Sequence, residues 1–125
     1  MNQRQKPKTV LIVDDNELIR MTLRTVLRNA GLEVVGEAAD GEKALAQLEL
    51  MRINLVCLDV VMPRMNGLDV LAEIRARHPE VKVLMVTGQA DRETIQSAIS
   101  GGAHGIILKP FREKQIHDTL TRVLG

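Results

Sequence analysis

The sequence predicts a doubly wound α/β domain with a five-strand parallel sheet. Two observations carry that prediction. Short apolar runs alternate with amphipathic stretches five times along the 125 residues. The runs are continuous and rich in β-branched residues, as expected of strands covered on both faces. That order, strand then helix repeated, requires right-handed crossovers with helices on either side of the sheet.

The first run is Val10-Leu11-Ile12-Val13. Ile19, Leu23, Val26, Leu27 and Ala30 then recur at helical spacing, and Gly31 marks the stop. Residues 32–38 form the second strand. Asp40 can cap the next helix, whose apolar face is Ala44, Leu48 and Met51. Residues 55–58 are the third strand and lead directly into Asp59. After a loop with Pro63 and Asn66-Gly67, Leu68, Leu71 and Ile74 mark a third helix that ends near His78-Pro79. Residues 81–86 are the fourth strand. Asp91 caps a helix carrying Ile95, Ala98 and Ile99, which stops at Gly101-Gly102. Residues 105–108 are the fifth strand, and Ile116, Leu120, Val123 and Leu124 line the last helix. The common five-strand solution is flavodoxin-like, with strand order 2-1-3-4-5 and its site at the carboxyl ends of strands 1 and 3.

Composition narrows the function. The formal net charge is +1, so direct nucleic-acid binding by electrostatics is not expected. Phe111 is the only aromatic residue, which removes any stacking platform for bases, sugars or flavin. Cys57 is the only cysteine and sits in an apolar run, a small buried hydrophobe and not half of a disulfide or a zinc ligand. No apolar run approaches the length of a membrane span, and the N-terminus lacks the apolar stretch of a signal peptide. The cytoplasm is the default. Residues 1–8 read as a short polar leader and residues 9–125 as one domain.

The strand ends select the chemistry. Asp14 and Asp15 follow the first strand, Asp59 the third, Thr87 the fourth and Lys109 the fifth. In this strand order the three carboxylates converge on one edge, where they repel one another. A hard divalent cation such as Mg²⁺ would relieve this, because it takes oxygen ligands and combines carboxylates with phosphate oxygens. The Lys109 ammonium can balance the remaining charge, and the Thr87 hydroxyl can donate to a phosphoryl oxygen. Such a set suits phosphoryl transfer, where positioning and charge neutralisation dominate, with Asp59 as nucleophile. Taken singly each feature is ordinary: Asp14-Asp15 a helix cap, Asp59 a turn, Thr87-Gly88 a loop, Lys109-Pro110 a solvated lysine before a helix-starting proline. Their joint placement on the correct strand ends favours the site.

From Thr9 to Leu124 the chain resembles the receiver domain of bacterial response regulators. The matching segments are Val10 through Asn16, Asp40-Gly41-Glu42-Lys43-Ala44, Asp59 through Gly67, Val86-Thr87-Gly88 and Lys109-Pro110-Phe111. The resemblance implies that Asp59 accepts phosphate from a phosphohistidine on a sensor histidine kinase or phosphotransfer protein. It implies Mg²⁺ ligation by Asp15, Asp59 and the main-chain carbonyl of Val61, with Asp14 acting mainly through water. It implies that Thr87 moves to hold the phosphoryl group, that Lys109 pairs first with Asp59 and then with the phosphate, and that Lys109-Pro110 is cis. Val61 and Gln89 match positions that tune acyl-phosphate lifetime. The expected output is a protein target docked on the face of helix 4, strand 5 and helix 5. Because the chain stops after its last helix, the resemblance is to stand-alone regulators of the chemotaxis type, with a receiver excised from a larger regulator as the alternative.

One position departs from the pattern. Ile106 stands where the family often has Tyr or Phe, so an aromatic swing cannot be the readout. Ile106 is also the one feature favouring a scaffold that works without phosphorylation. A phosphatase of another α/β family is disfavoured because its Asp-x-Asp spacing is replaced here by adjacent Asp14-Asp15. A flavin carrier is disfavoured by carboxylates where a phosphate cradle should be.

Overall fold

A computed structural model describes residues 6–125, so most of the expected leader, residues 1–8, lies outside the described residues. The elements run β1 (Thr9–Val13), α1 (Glu17–Asn29), β2 (Glu33–Ala38), α2 (Gly41–Leu50), β3 (Leu55–Leu58), α3 (Gly67–Arg77), β4 (Lys82–Thr87), α4 (Arg92–Ser100), β5 (Gly105–Leu108) and α5 (Glu113–Leu124). All strand pairs are parallel, and the sheet order is β2-β1-β3-β4-β5.

The period of a strand, two residues, splits the sheet's side chains between two cores. Leu11, Val13, Val56, Leu58, Val83 and Met85 face one side, where Ala44 and Leu48 of α2, Leu71 and Ile74 of α3 and Ala98 of α4 cover them. Val10, Ile12, Leu55, Cys57, Leu84 and Val86 face the other, beneath Leu23 and Leu27 of α1 and Ile116 and Leu120 of α5. The central strands β1 and β3 are therefore buried on both faces, which is why they read as unbroken apolar runs. Cys57 lies in the second core, and burial pushes its thiol up to about 12, so it is an unreactive hydrophobe as expected.

Helix ends follow local chemistry. Asn16, Asp40 and Asp91 cap α1, α2 and α4 through side-chain oxygens that accept from Ile19, Lys43 and Thr94. Beyond α1, Gly31 takes φ +87, the left-handed region in which glycine carries no Cβ penalty. The expected elements are all present, with small shifts at their ends. β2 begins at Glu33, and β4 runs one residue further than expected, so Thr87 is its last residue. Met51 stands just past α2 as its C-cap and still packs against the first core. Ile99 does not join the apolar face of α4: it is 63% exposed, and Thr94 and Ala98 supply the buried positions. No helix among the described residues is long and apolar enough to cross a membrane.

Candidate phosphoacceptor site

Parallel pairing puts the carboxyl ends of all five strands on one edge, and register decides which residues meet there. Val13 is in register with Leu58, so the next residues along β1 and β3, Asp14 and Asp59, emerge side by side. The pairing continues one step past the strands: the Asp59 amide donates to the Val13 carbonyl at 3.0 Å, and the Asp14 amide to that of Ala38 at 3.0 Å. On the far side the Lys109 amide donates to the Thr87 carbonyl at 2.9 Å, which carries β5 to the same edge.

Asp14, Asp15 and Asp59 each offer a carboxylate oxygen, and these oxygens lie within 4.8 Å of one another. Their environments differ. Asp14 is 1% exposed and Asp59 5%, whereas Asp15 is exposed and accepts no hydrogen bond from any described residue. The Lys109 ammonium bridges the buried pair, donating to Asp14 Oδ2 at 2.8 Å and to Asp59 Oδ2 at 3.1 Å. Asp59 Oδ1 faces the Val61 amide at 3.4 Å, a long contact that leaves this oxygen underused.

Burial, and then the neighbouring Asp14 charge, push the Asp59 carboxyl above the ordinary aspartate value; Lys109 and the Val61 amide pull it down only in part. Burial alone would lower the Lys109 ammonium, but hydrogen bonds and attraction from Asp14 and Asp59 outweigh it, so its pKa is raised and it stays charged. The pocket thus holds excess negative charge with one lysine as its counter-charge. That donor set, all hard oxygens with one carboxylate still free, fits a small divalent cation.

Thr87 is 1% exposed, and its Oγ1 accepts the Gln89 amide at 3.1 Å. It makes no hydrogen bond to Asp59, so its hydroxyl proton remains to donate elsewhere. Val61 is 56% exposed beside the site. Lys109-Pro110 is cis, as the resemblance implies. Asp14 is not a helix cap: Asn16 caps α1, and Asp14 Oδ1 instead accepts the Asn16 amide at 2.9 Å.

Two residues contribute to the site in ways that the sequence alone does not assign. Gly67 donates its amide to the Val60 carbonyl at 2.7 Å, and a Cβ there would collide with the Asp59 carbonyl oxygen. Gly67 closes the Asp59-to-Gly67 segment that carries the resemblance, but the sequence alone does not assign it this close packing. Arg20 donates from Nη1 to the Asp14 carbonyl oxygen at 2.7 Å. An arginine on a helix facing an aspartate six residues earlier leaves no sequence signature.

The model of the response regulator receiver domain matches residues 10–121. The chemotaxis protein CheY of Thermotoga maritima is 35% identical over 93% of this chain and 97% of its own. The transcriptional regulatory protein PdtaR of Mycobacterium tuberculosis is 40% identical over 84% of this chain but only 51% of its own length. Among solved structures, the chemotaxis protein CheY4 of Vibrio cholerae superposes with a TM-score of 0.87 at 35% identity, covering 94% of this chain and 99% of that one. The CheX–CheY–BeF3–Mg complex of Borrelia burgdorferi gives 0.91 at 27% identity, covering 95% and 90%. The chain belongs to the response regulator receiver family of two-component systems. Phosphorylation on aspartate and Mg²⁺ are characteristic of that family, whose members are generally signalling switches.

Proposed function

We propose that this chain is a cytoplasmic phosphorylation switch, with residues 9–125 as the receiver unit. Asp59 takes a phosphoryl group from a phosphohistidine on a sensor histidine kinase or phosphotransfer protein. The modified form then engages a downstream protein through the face of α4, β5 and α5. It is a switch and not a turnover enzyme. The observation that carries this reading is the Lys109 ammonium bridging buried Asp14 and Asp59 while Asp15 stays free.

A phosphohistidine approaching this edge meets an Asp59 carboxylate that is poorly solvated and paired with Lys109. An Asp59 oxygen forms the O–P bond as the P–N bond breaks, and the electron pair of that bond stays on the departing imidazole nitrogen. Asp15, Asp59 and the Val61 carbonyl would hold Mg²⁺, with Asp14 acting through water. When bound, the ion neutralises charge on the phosphoryl oxygens and among the carboxylates. Lys109 loses one carboxylate charge as Asp59 is esterified and is free to meet a phosphoryl oxygen. The Thr87 hydroxyl donates to another, drawing the end of β4 toward Asp59 and so altering the surface beyond it. Val61 and Gln89 flank the path of an attacking water and set the lifetime of the acyl phosphate.

Incubation with acetyl phosphate and Mg²⁺ should add one phosphate, read by intact mass, and Asp59→Asn should abolish it. Equal labelling of both proteins overturns the assignment. Ile106 favours a second reading, a scaffold that acts without phosphorylation. It is partly buried against the first core and carries no hydroxyl. Under that reading the wild type stays unlabelled in the same experiment.

A further inference from the structure

The acidic pair is gripped from outside the pocket. Arg20 lies near the start of α1, with its side chain 19% exposed. Its Nη1 donates to the Asp14 carbonyl oxygen at 2.7 Å, and its Nε lies 3.3 Å from Glu37 Oε1 on β2. Glu37 is itself clamped by Arg24, whose Nε and Nη2 donate to its two oxygens at 2.6 and 3.2 Å. The Arg20 fork is therefore held at both ends, on strand β2 and on the turn after β1.

Every polar group of Asp14 is engaged. Its amide meets Ala38, its carbonyl oxygen Arg20, and its carboxylate Asn16 and Lys109. Asp15 has no such support, since its exposed carboxylate accepts nothing from the described residues. Only the backbone fixes where it points. The Asp14 carbonyl and the Asp15 amide share one rigid peptide plane, so a bond to that carbonyl sets the direction in which Asp15 leaves it.

We propose that Arg20 is a positioning residue that holds the Asp14–Asp15 peptide so that the Asp15 carboxylate is presented to the divalent cation. The inference rests on the Mg²⁺ reading above. Glu37 has a matching part: it offsets the guanidinium charge, so that Arg20 can lie beside the acidic pocket without opposing the cation.

Two simpler roles give different results. If Arg20 only screened the pocket, removing its positive charge would strengthen Mg²⁺ binding. If it only paired with Glu37, removal would lower stability and leave binding alone. Positioning predicts weaker binding despite the loss of a repulsive charge. The test is a Mg²⁺ titration of the full chain, followed by calorimetry and by amide shifts, at fixed ionic strength. Arg20→Met should bind about tenfold more weakly, the lower end of what loss of a ligand-orienting contact costs. Arg24→Met breaks the clamp on Glu37, spares the Asp14 contact, and should bind much as wild type does. Should Arg20→Met fail to fold, Arg20→Lys decides, because lysine keeps the charge but lacks the planar fork that reaches both partners. It too should bind more weakly. Affinity in the deciding variant equal to or tighter than wild type overturns this inference alone, whereas a wild type that binds no Mg²⁺ overturns the phosphoacceptor reading as well.

Discussion

Asp59 carries a cost that its neighbours do not fully offset. Its carboxyl is raised by burial and by Asp14, so the folded chain holds that proton more tightly than the unfolded chain. The sign follows from linkage. The favourable contribution is complete below the ordinary aspartate value near 4 and is lost as pH rises through the raised folded value. Asp59→Asn removes the titration while keeping the shape. In chelator, the variant should gain stability relative to wild type as pH climbs from about 4 toward neutrality. Denaturant melts at a series of pH values measure this. A gap that stays constant, or closes as pH rises, would show that Lys109 and not burial governs this carboxyl.

At the scale of elements, the site depends on how closely the start of α3 approaches the end of β3. Asn66 caps the helix through the Leu68 amide at 2.7 Å, and Gly67 lies directly over the Asp59 backbone. An alanine side chain at 67 meets backbone on its near side, which cannot rotate away. Gly67→Ala should therefore cost about 1–3 kcal/mol, the usual range for overpacking. It should also slow labelling of Asp59, because the loop bearing Val61 must shift. Denaturant melts and a labelling time course check both; a fully stable variant with normal labelling would mean that the loop yields without strain. The same loop holds Arg64 at φ 70 and ties it to Asp40, the cap of α2, at 3.3 Å. The loop after Asp59 is thus fastened to elements on both sides.

For the whole molecule, the proposed cation at the acidic sheet edge would couple folding to binding. A ligand that binds the folded site and not the unfolded chain stabilises by mass action, by about 2.7 kcal/mol at a hundred times its dissociation constant. Thermal melts in EDTA and in millimolar Mg²⁺ should differ accordingly. Asp15→Asn removes the one carboxylate that makes no other contact, so it should leave the EDTA melt nearly unchanged and reduce the Mg²⁺ gain. If wild type shows no shift with Mg²⁺, the acidic edge is not a cation site.

The sequence by itself determined the strand and helix order, because hydrophobic period and helix punctuation are local properties of the chain. It also determined which residues stand at strand ends, and so nominated Asp14, Asp15, Asp59, Thr87 and Lys109. Tertiary structure decided how those residues divide the work. Asp14 and Asp15 are adjacent in sequence, yet one is buried under Lys109 and the other is exposed, because the chain turns out of β1 between them. Pairing of Lys109 with both buried aspartates depends on β1 and β5 flanking β3 and β4 in one sheet, with Val13, Leu58, Met85 and Ile106 in register and β5 running on to Leu108. The exposure of Ile99, which helical spacing assigns to the core, follows from how α4 is turned about its axis, with Thr94 and Ala98 on its buried side. Arg20 meets the Asp14 carbonyl because α1 packs beside the turn after β1, with Glu37 on β2 as its second partner. Such contacts join residues distant along the chain, and a local pattern does not contain them.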